Sequence, residues 1–315
     1  MSDPPSRTAL LVFVVLTLIV AGALAGVALY YSTPRSTPTP LTPQVGGNAT
    51  VNYIGYFGSG PENGRVFDTS LYSVAINNAS YPKSVGFKYR GSEANYTPLG
   101  VNIGPNAPSG GYTIGNTSFV TVVTGFWEGL IGVPGNTTHT IVVPPDLGYG
   151  PQNPACIRNL PLTYTLPVVA TFSATGFSSV YPGVTPLTGV SFTDPHYGWN
   201  ATVLAANTSY VTVENLPYIG YVASPAGWPV LVTAITSTPN GAGAITLVNE
   251  LSPAQAGHLL GTDFNGSAPC TSSNGEFIVS AVNPAAGTYT ENFNEAVTGQ
   301  ILIFVITVVN IYPPP

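Results

Sequence analysis

The chain has 315 residues, and only 6% of them are charged, with 7 Lys+Arg against 13 Asp+Glu. This length allows one large or two modest domains together with an anchor, and the shortage of basic residues excludes a nucleic-acid-binding surface. Gly 35, Pro 31 and Tyr 18 favour many short strands and turns over helices. Polarity supplied by Ser, Thr and Asn suits an exported, glycosylated surface, and it also suits an acidic medium.

The first segment predicts export and a membrane anchor. Residues 9–31 carry no charge and are numerous enough to span a bilayer as one helix. Arg7 precedes this apolar segment and the large polar remainder follows it, which favours a cytoplasmic tail over residues 1–8. A small-x-small sequence at 23–25 leaves a cleaved signal peptide as the alternative. The unbroken apolar continuation favours the anchor, followed by an extended Pro/Thr-rich stalk over residues 32–46.

Sequons and cysteines agree with export. Every Asn-x-Ser/Thr sequon follows the predicted anchor, as translocation of the remainder requires. The candidate glycosylation residues are Asn48, Asn78, Asn95, Asn116, Asn136, Asn200, Asn207 and Asn265.

The two cysteines, Cys156 and Cys270, form no Cys-x-x-Cys motif. In an exported chain they are predicted to form one structural disulfide, and two unpaired buried thiols are the alternative.

The folded region is predicted to begin with two strands. Residues 50–57 alternate between apolar and polar side chains, residues 58–64 form a turn, and residues 65–69 form the second strand. The segment 71–118 that follows is rich in Asn, Gly, Ser and Tyr and shows no helical periodicity. It therefore predicts an enlarged surface loop or an additional hairpin.

A strand, a short helix and another strand are predicted over residues 122–150. Thr124 is predicted to cap the helix, and Gly132 to end it. Phe126 and Leu130 are spaced to share one helical face.

This unit closely resembles the core signature of the FKBP-type peptidyl-prolyl isomerases. In that family a Val-Ile-x-Gly-Trp motif leads a helix, and a Pro-Pro-x-x-x-Tyr-Gly motif follows a strand. Here Val-Val-Thr-Gly-Phe stands at 122–126. Pro-Pro-Asp-Leu-Gly-Tyr-Gly stands at 144–150, after a strand rich in β-branched residues at 139–143. The ending at 291–310 resembles the close of the SlyD-like branch, which carries a chaperone domain inserted in the flap.

The resemblance implies an α+β fold. Residues 47–150 and 285–315 would form an FKBP-like antiparallel sheet wrapped on a short helix. Residues 151–284 would form a large inserted domain, which is mostly β by its pattern. This insert is much larger than the one in the family. Cys156 and Cys270 would join it near its entry and exit.

Within the insert, two segments resemble each other. Residues 198–215 are similar to residues 275–292, which predicts two related strand pairs, although a shared β composition explains the similarity equally well. Residues 253–260 are predicted to form one short helix.

The resemblance also implies a proline pocket with aromatic walls. Its implied residues are Tyr53, Phe67, Asp68, Val122, Val123, Phe126, Tyr149 and Phe304. The backbone N–H of Val123 and the hydroxyl of Tyr149 would donate to substrate carbonyls, and Asp68 would orient the polar side. The alternative is that Tyr53 and Phe67 are core aromatics and Asp68 caps a turn.

Two assignments in this pocket have alternatives. Phe126 stands where the family commonly has Trp, and Trp127 follows it, so a slide of one residue would place Trp127 in the pocket instead. Tyr112, in a Gly-Tyr-Thr-Ile-Gly sequence, is a candidate for a further wall.

The last strand is apolar on both faces. Leu302, Phe304, Ile306 and Val308 are predicted to point one way, and Ile301, Ile303 and Val305 the other. A sheet with one solvated face would alternate with polar residues. We therefore expect the insert or a partner to cover the second face.

The sequence contains no motif for metal binding, for a serine nucleophile or for phosphate binding. His139, His196 and His258 are scattered without metal-ligand spacing, and neither a Gly-x-Ser-x-Gly elbow nor a phosphate loop occurs. The expectation is an extracytoplasmic prolyl isomerase that needs no cofactor. It would be anchored in the cell membrane by a single pass and act on unfolded or proline-containing exported polypeptides. The alternative is a non-enzymatic surface protein that uses the same scaffold for adhesion or envelope structure.

Overall fold

A computed structural model describes most of the chain beyond the predicted anchor. The described residues are 41–105, 112–237, 242–263, 268–270 and 275–314, with Ala21, Ala23 and Leu24 of the first forty. The predicted tail, nearly all of the anchor, most of the stalk and Asn265 lie outside the described residues. Within the described part, no helix has both the length and the apolar character needed to cross a membrane.

Thr42–Pro315 form one compact unit, separate from Met1–Leu41. The compact unit is mostly β-sheet with few helices, as predicted for an α+β chain with a β-rich domain. Its first strands are β1 (Asn48–Phe57), β2 (Val66–Thr69), β3 (Leu99–Asn102), β4 (Tyr112–Ile114), β5 (Thr117–Val120) and β6 (Thr138–Val143). There follow β7 (Ile157–Pro161), β8 (Thr163–Pro167), β9 (Val169–Ser173), β10 (Ser191–Thr193), β11 (Asn200–Ala206) and β12 (Tyr210–Leu216). The last are β13 (Val222–Ala223), β14 (Val230–Ser237), β15 (Gly243–Asn249), β16 (Leu260–Thr262), β17 (Glu276–Asn283), β18 (Thr288–Asn292) and β19 (Leu302–Tyr312). The helices are α1 (Tyr72–Ile76), α2 (Thr124–Leu130) and α3 (Ala174–Val180).

One seven-stranded sheet, the core sheet, joins the two ends of the compact unit. Its strand order is β4-β5-β3-β1-β19-β6, and β2 pairs with the second half of β1. The pairs are antiparallel except for β3 with β5. On β19 the side chains of Leu302, Phe304, Ile306 and Val308 are buried, which confirms the predicted inner face.

Helix α2 covers the buried face of the core sheet, and two glycines let it approach β6 closely. A Cβ atom on Gly129 would lie 2.5 Å from Cγ2 of Ile141. A Cβ atom on Gly125 would lie 2.8 Å from Cγ1 of Val143. Because real Cβ atoms do not approach this closely, larger residues at these positions would push the helix away from the sheet.

The helix start differs from its prediction. Helix α2 begins at Thr124 itself, with Val123 as the N-cap residue and no side-chain cap, so the capping role predicted for Thr124 is wrong. Gly132 has a φ angle of 78°, which fits its predicted role just beyond the helix end. Helix α1 lies in the segment for which no helix was expected, because five residues are too few to show periodicity.

The described residues of the chain leave the second face of β19 partly uncovered. Ile303 and Val305 are half-buried, and Ile301 is 38% exposed. On the neighbouring strand β6, Val142 is 60% exposed. The described part of the insert therefore does not seal this face, and cover by a partner stays a prediction.

The described residues of the insert form three four-stranded antiparallel sheets built on one plan. Strands β7, β8 and β9 follow one another in sequence, but each enters a different sheet. A short strand and a hairpin complete each sheet: β10–β12 join β9, β13–β15 join β8, and β16–β18 join β7. Each hairpin shifts register at the same place, directly after Val203, Val232 and Val279. The similar segments 198–215 and 275–292 are thus two members of a threefold repeat.

Several predictions about the insert need correction. Its end is Asn292 rather than residue 284, because β18 pairs with β7 and β17; residues 151–292 are called the insert below. Cys156 and Cys270 form the predicted disulfide, but Cys270 precedes β17 and so does not mark the exit. The helix predicted over 253–260 is a 3₁₀ turn, Pro253–Gln255, because strand β16 begins at Leu260.

Six of the glycosylation candidates are accessible. Asn78, Asn95, Asn116, Asn136, Asn200 and Asn207 are exposed. Asn48 is 5% exposed at the start of β1, and its Oδ1 atom accepts a 3.2 Å hydrogen bond from Nδ2 of Asn102. A glycan on Asn48 does not fit the folded sheet, so the prediction of Asn48 as a glycosylation residue is corrected.

Candidate functional site

Four aromatic rings from three strands and one helix meet on the core sheet. The ring centroid of Phe304 lies 4.8 Å from Phe126, 5.6 Å from Phe67 and 6.3 Å from Tyr53. The planes cross at 86°, 84° and 60°, so the rings pack edge to face. Such pairs are worth about 0.5–1.5 kcal/mol beyond their buried area. These four residues are called the aromatic cluster.

A glycine makes the position of Phe67 possible. The register of the core sheet places Gly55 between Asp68 on β2 and Phe304 on β19. The Phe67 ring lies directly over this glycine, where a Cβ atom would stand 2.6 Å from its Cζ atom. A side chain on residue 55 would therefore keep Phe67 away from Phe304.

A polar network borders the aromatic cluster. The Tyr53 hydroxyl donates to Oδ2 of Asp68 at 2.5 Å, and Arg90 donates to Oδ1 of Asp68 at 2.5 Å. Arg90 also lies 3.3 Å from the Tyr53 hydroxyl. Burial, together with the negative charge of Asp68, raises the pKa of Tyr53. The hydroxyl therefore keeps its proton and serves as a donor that holds Asp68 in place.

Arg90 is the site residue that the sequence reasoning missed. It comes from the long segment between β2 and β5, where its guanidinium lies 5.5 Å from the ring centroid of Tyr96. Its backbone N–H donates to the Tyr96 hydroxyl at 2.9 Å. The only available signal was that a chain with 7 Lys+Arg in 315 residues places one of them after Lys88-Tyr89.

The rim of the site carries two hydrogen-bond donors. Val122 and Val123 are half-buried, and Tyr149 is 47% exposed. Among the described residues, neither the Val123 N–H nor the Tyr149 hydroxyl has an acceptor. Burial and the charges of Asp68 and Glu295 raise the pKa of Tyr149, which keeps its hydroxyl protonated. Both groups can therefore donate to a bound molecule.

The structure bears on the two alternatives that the sequence left open for the predicted pocket. Phe126 lies against Tyr53 and Phe304, so the slide that would place Trp127 there does not occur; Trp127 packs elsewhere in the same core. Tyr112 lies on the edge strand β4, separated from β1 by β5 and β3. Its place in the sheet does not support a role as a pocket wall.

Metal chemistry has no support in the part of the chain that the structure describes, where no group of His, Cys, Asp and Glu side chains is placed to hold an ion.

No protein-family model matches the chain, and no curated protein matches it either. The resemblance to the FKBP-type isomerases therefore rests on the residues described above and supports a proposal only.

Proposed function

We propose that the protein is an extracytoplasmic peptidyl-prolyl isomerase, anchored in the cell membrane by its N-terminal segment. Its substrates are X-Pro bonds of unfolded or exported polypeptides. The observation that supports this proposal is the aromatic cluster, bordered by two donors that have no acceptor in the described part of the chain. The FKBP-like fold is part of the proposal, supported by a mostly antiparallel sheet that packs on one short helix.

Isomerisation requires only a pocket of this kind. The barrier to rotation comes from amide resonance, which is lost in the twisted transition state. Because the planar amide is more charge-separated than the twisted one, apolar surroundings raise the ground state relative to the transition state. The rings of Phe67, Phe126 and Phe304 provide these surroundings for the proline ring. The Val123 N–H and the Tyr149 hydroxyl hold the flanking carbonyl groups, and no acid–base pair is needed.

A protease-coupled prolyl-peptide assay on residues 42–315 tests the proposal. Phe67→Ala removes a wall, and we expect turnover to fall about tenfold for each 1.4 kcal/mol of lost contact. Tyr149→Ala should reduce turnover sharply, and Tyr149→Phe, which keeps the ring, separates the effect of the hydroxyl. Tyr218→Ala is the control, since Tyr218 is 66% exposed on the insert. Turnover like that of the unmutated protein in both alanine variants of the site would refute the assignment.

One observation favours the non-enzymatic alternative. Tyr53, Phe126 and Phe304 are only 6%, 3% and 5% exposed, which is also the burial of an ordinary hydrophobic core. A folded, monomeric protein without any activity in the same assay would support a structural or adhesive surface protein on this scaffold.

A further inference from the structure

The insert contains a cavity of about 630 Å³ that is lined by residues of all three of its sheets. A cavity of this size is typical of small-molecule sites. Eight aromatic side chains line it, among them Tyr164, Tyr197, Trp199, Trp228, Phe277 and Tyr289. This site is separate from the aromatic cluster of the core sheet and does not depend on the isomerase proposal.

The threefold repeat builds the cavity wall. Strands β7, β8 and β9 contribute Leu160, Leu166 and Phe172 at six-residue intervals, and all three line the cavity. Each of them is half-buried, while its neighbours along the strand are exposed. These three side chains pack against the hydrophobic cores of the insert and also line the cavity.

Most neutral polar groups in the wall already form hydrogen bonds within the protein. Trp228 Nε1 donates to Oδ1 of Asn249 at 2.8 Å, and Trp199 Nε1 donates to Oδ1 of Asn215 at 3.2 Å. The amide nitrogens of both asparagines donate to backbone carbonyls of the β7–β9 segment. A ligand with many hydroxyl groups would find few partners here. Recognition must rest on aromatic faces and on charge.

The charged residues of the insert are mostly acidic. Residues 151–292 contain six Asp and Glu side chains and a single basic residue, Arg158. Arg158 lines the cavity together with Asp194, Asp263 and Glu291. Its guanidinium contacts Glu291 at 2.5 Å and lies 3.8 Å from Asp263. Those two carboxylates are only 4% and 3% exposed.

One guanidinium among three carboxylates leaves the cavity wall with a net negative charge, His196 being counted as neutral. Buried charge is costly unless an opposite charge compensates it. Aromatic faces attract cations through their quadrupoles, most strongly where water is excluded. We propose that this cavity binds a small organic cation, namely an amine or quaternary ammonium ion that carries apolar groups.

Choline and its neutral isostere 3,3-dimethylbutan-1-ol test this proposal on the full-length protein. Tryptophan emission reports binding, because Trp199 and Trp228 both lie in the cavity wall. We expect choline to change the emission with saturation and to bind about 2- to 30-fold more tightly than the isostere, the range that cation–π contacts produce. Equal binding of the two molecules, or binding of methyl glucoside without choline, would overturn the proposal.

Variants of cavity residues test whether the cation binds in this cavity. Asp263→Asn removes one carboxylate of the wall at nearly constant size, so choline affinity should fall severalfold while affinity for the isostere is unchanged. Glu250→Gln is the matched control, because Glu250 is exposed on the insert outside the cavity. If Asp263→Asn fails to fold, Tyr164→Leu removes an aromatic face and should weaken choline binding alone. Unchanged choline binding in either folded variant would refute the site.

Discussion

Replacing Gly55 by Ala tests how the aromatic cluster is assembled. The new Cβ atom would lie 2.6 Å from Cζ of Phe67 and 3.0–3.1 Å from both Cε atoms, so the ring must move. That ring packs 5.6 Å from Phe304 and 5.1 Å from Phe57. Overpacking of this kind costs about 1–3 kcal/mol, and the stiffer unfolded chain of Ala offsets roughly 0.4–1 kcal/mol. We expect a net loss of about 1–2 kcal/mol in the free energy of unfolding.

Urea unfolding and the prolyl-peptide assay measure the two consequences of Gly55→Ala. The denaturation midpoint should fall, and turnover should fall with it, because Phe67 is a proposed wall of the pocket. Gly86→Ala is the matched control, since its Cβ atom would meet only Ala296, at an ordinary 3.8 Å. Equal midpoints for the two variants, with unchanged turnover, would mean that Phe67 does not lie over Gly55.

Three further predictions concern the insert. Replacing Cys156 and Cys270 together by Ala opens a loop with a sequence separation of 114 residues, and urea unfolding should show a loss of at most about 5 kcal/mol in the chain-entropy model; an unchanged midpoint would contradict this. Burial raises the pKa of Glu291, so the folded protein holds that proton more tightly than the unfolded chain. Glu291 should therefore add stability as the pH falls through this raised pKa, and that contribution is lost as the pH rises through it; Glu291→Gln should remove this pH dependence, and the same pH profile of stability in both proteins would contradict the prediction. Replacing residues 151–292 by a short Gly-Ser loop should spare turnover of tetrapeptides but greatly slow the catalysed refolding of a proline-limited protein, because a tethered client is locally concentrated. A proportional fall of both activities in a folded monomer would contradict this role.

Prediction from sequence succeeded where structure depends on local patterns. The alternation on β19 predicted that Phe304 faces the core, because successive strand residues point to opposite faces. The two prolines after β6 marked its end, since proline cannot continue a central strand. The aromatic residues at 53, 67, 126 and 304 could be named in advance, and the structure brings them together.

What failed depended on contacts between distant segments. Arg90 lies 22 residues from Asp68 in the chain, and no local pattern shows that the long intervening segment turns back to it. Asn48 has an acceptable sequon, yet pairing of β1 with β3 and β19 buries it. The sequence suggested two related strand pairs. The third pair, β14 and β15, was missed because its residues differ too much from those of the other two.

The composition of the chain determined by itself that the protein is rich in strands and poor in charge, because glycine, proline and β-branched residues act through the conformation of their own backbone. The tertiary structure alone decided that β7, β8 and β9 enter three different sheets and that Arg158 lies among three carboxylates. Strand partners and cavity walls depend on the register between segments far apart in the chain. That register is fixed only when the apolar faces of all the strands are buried together.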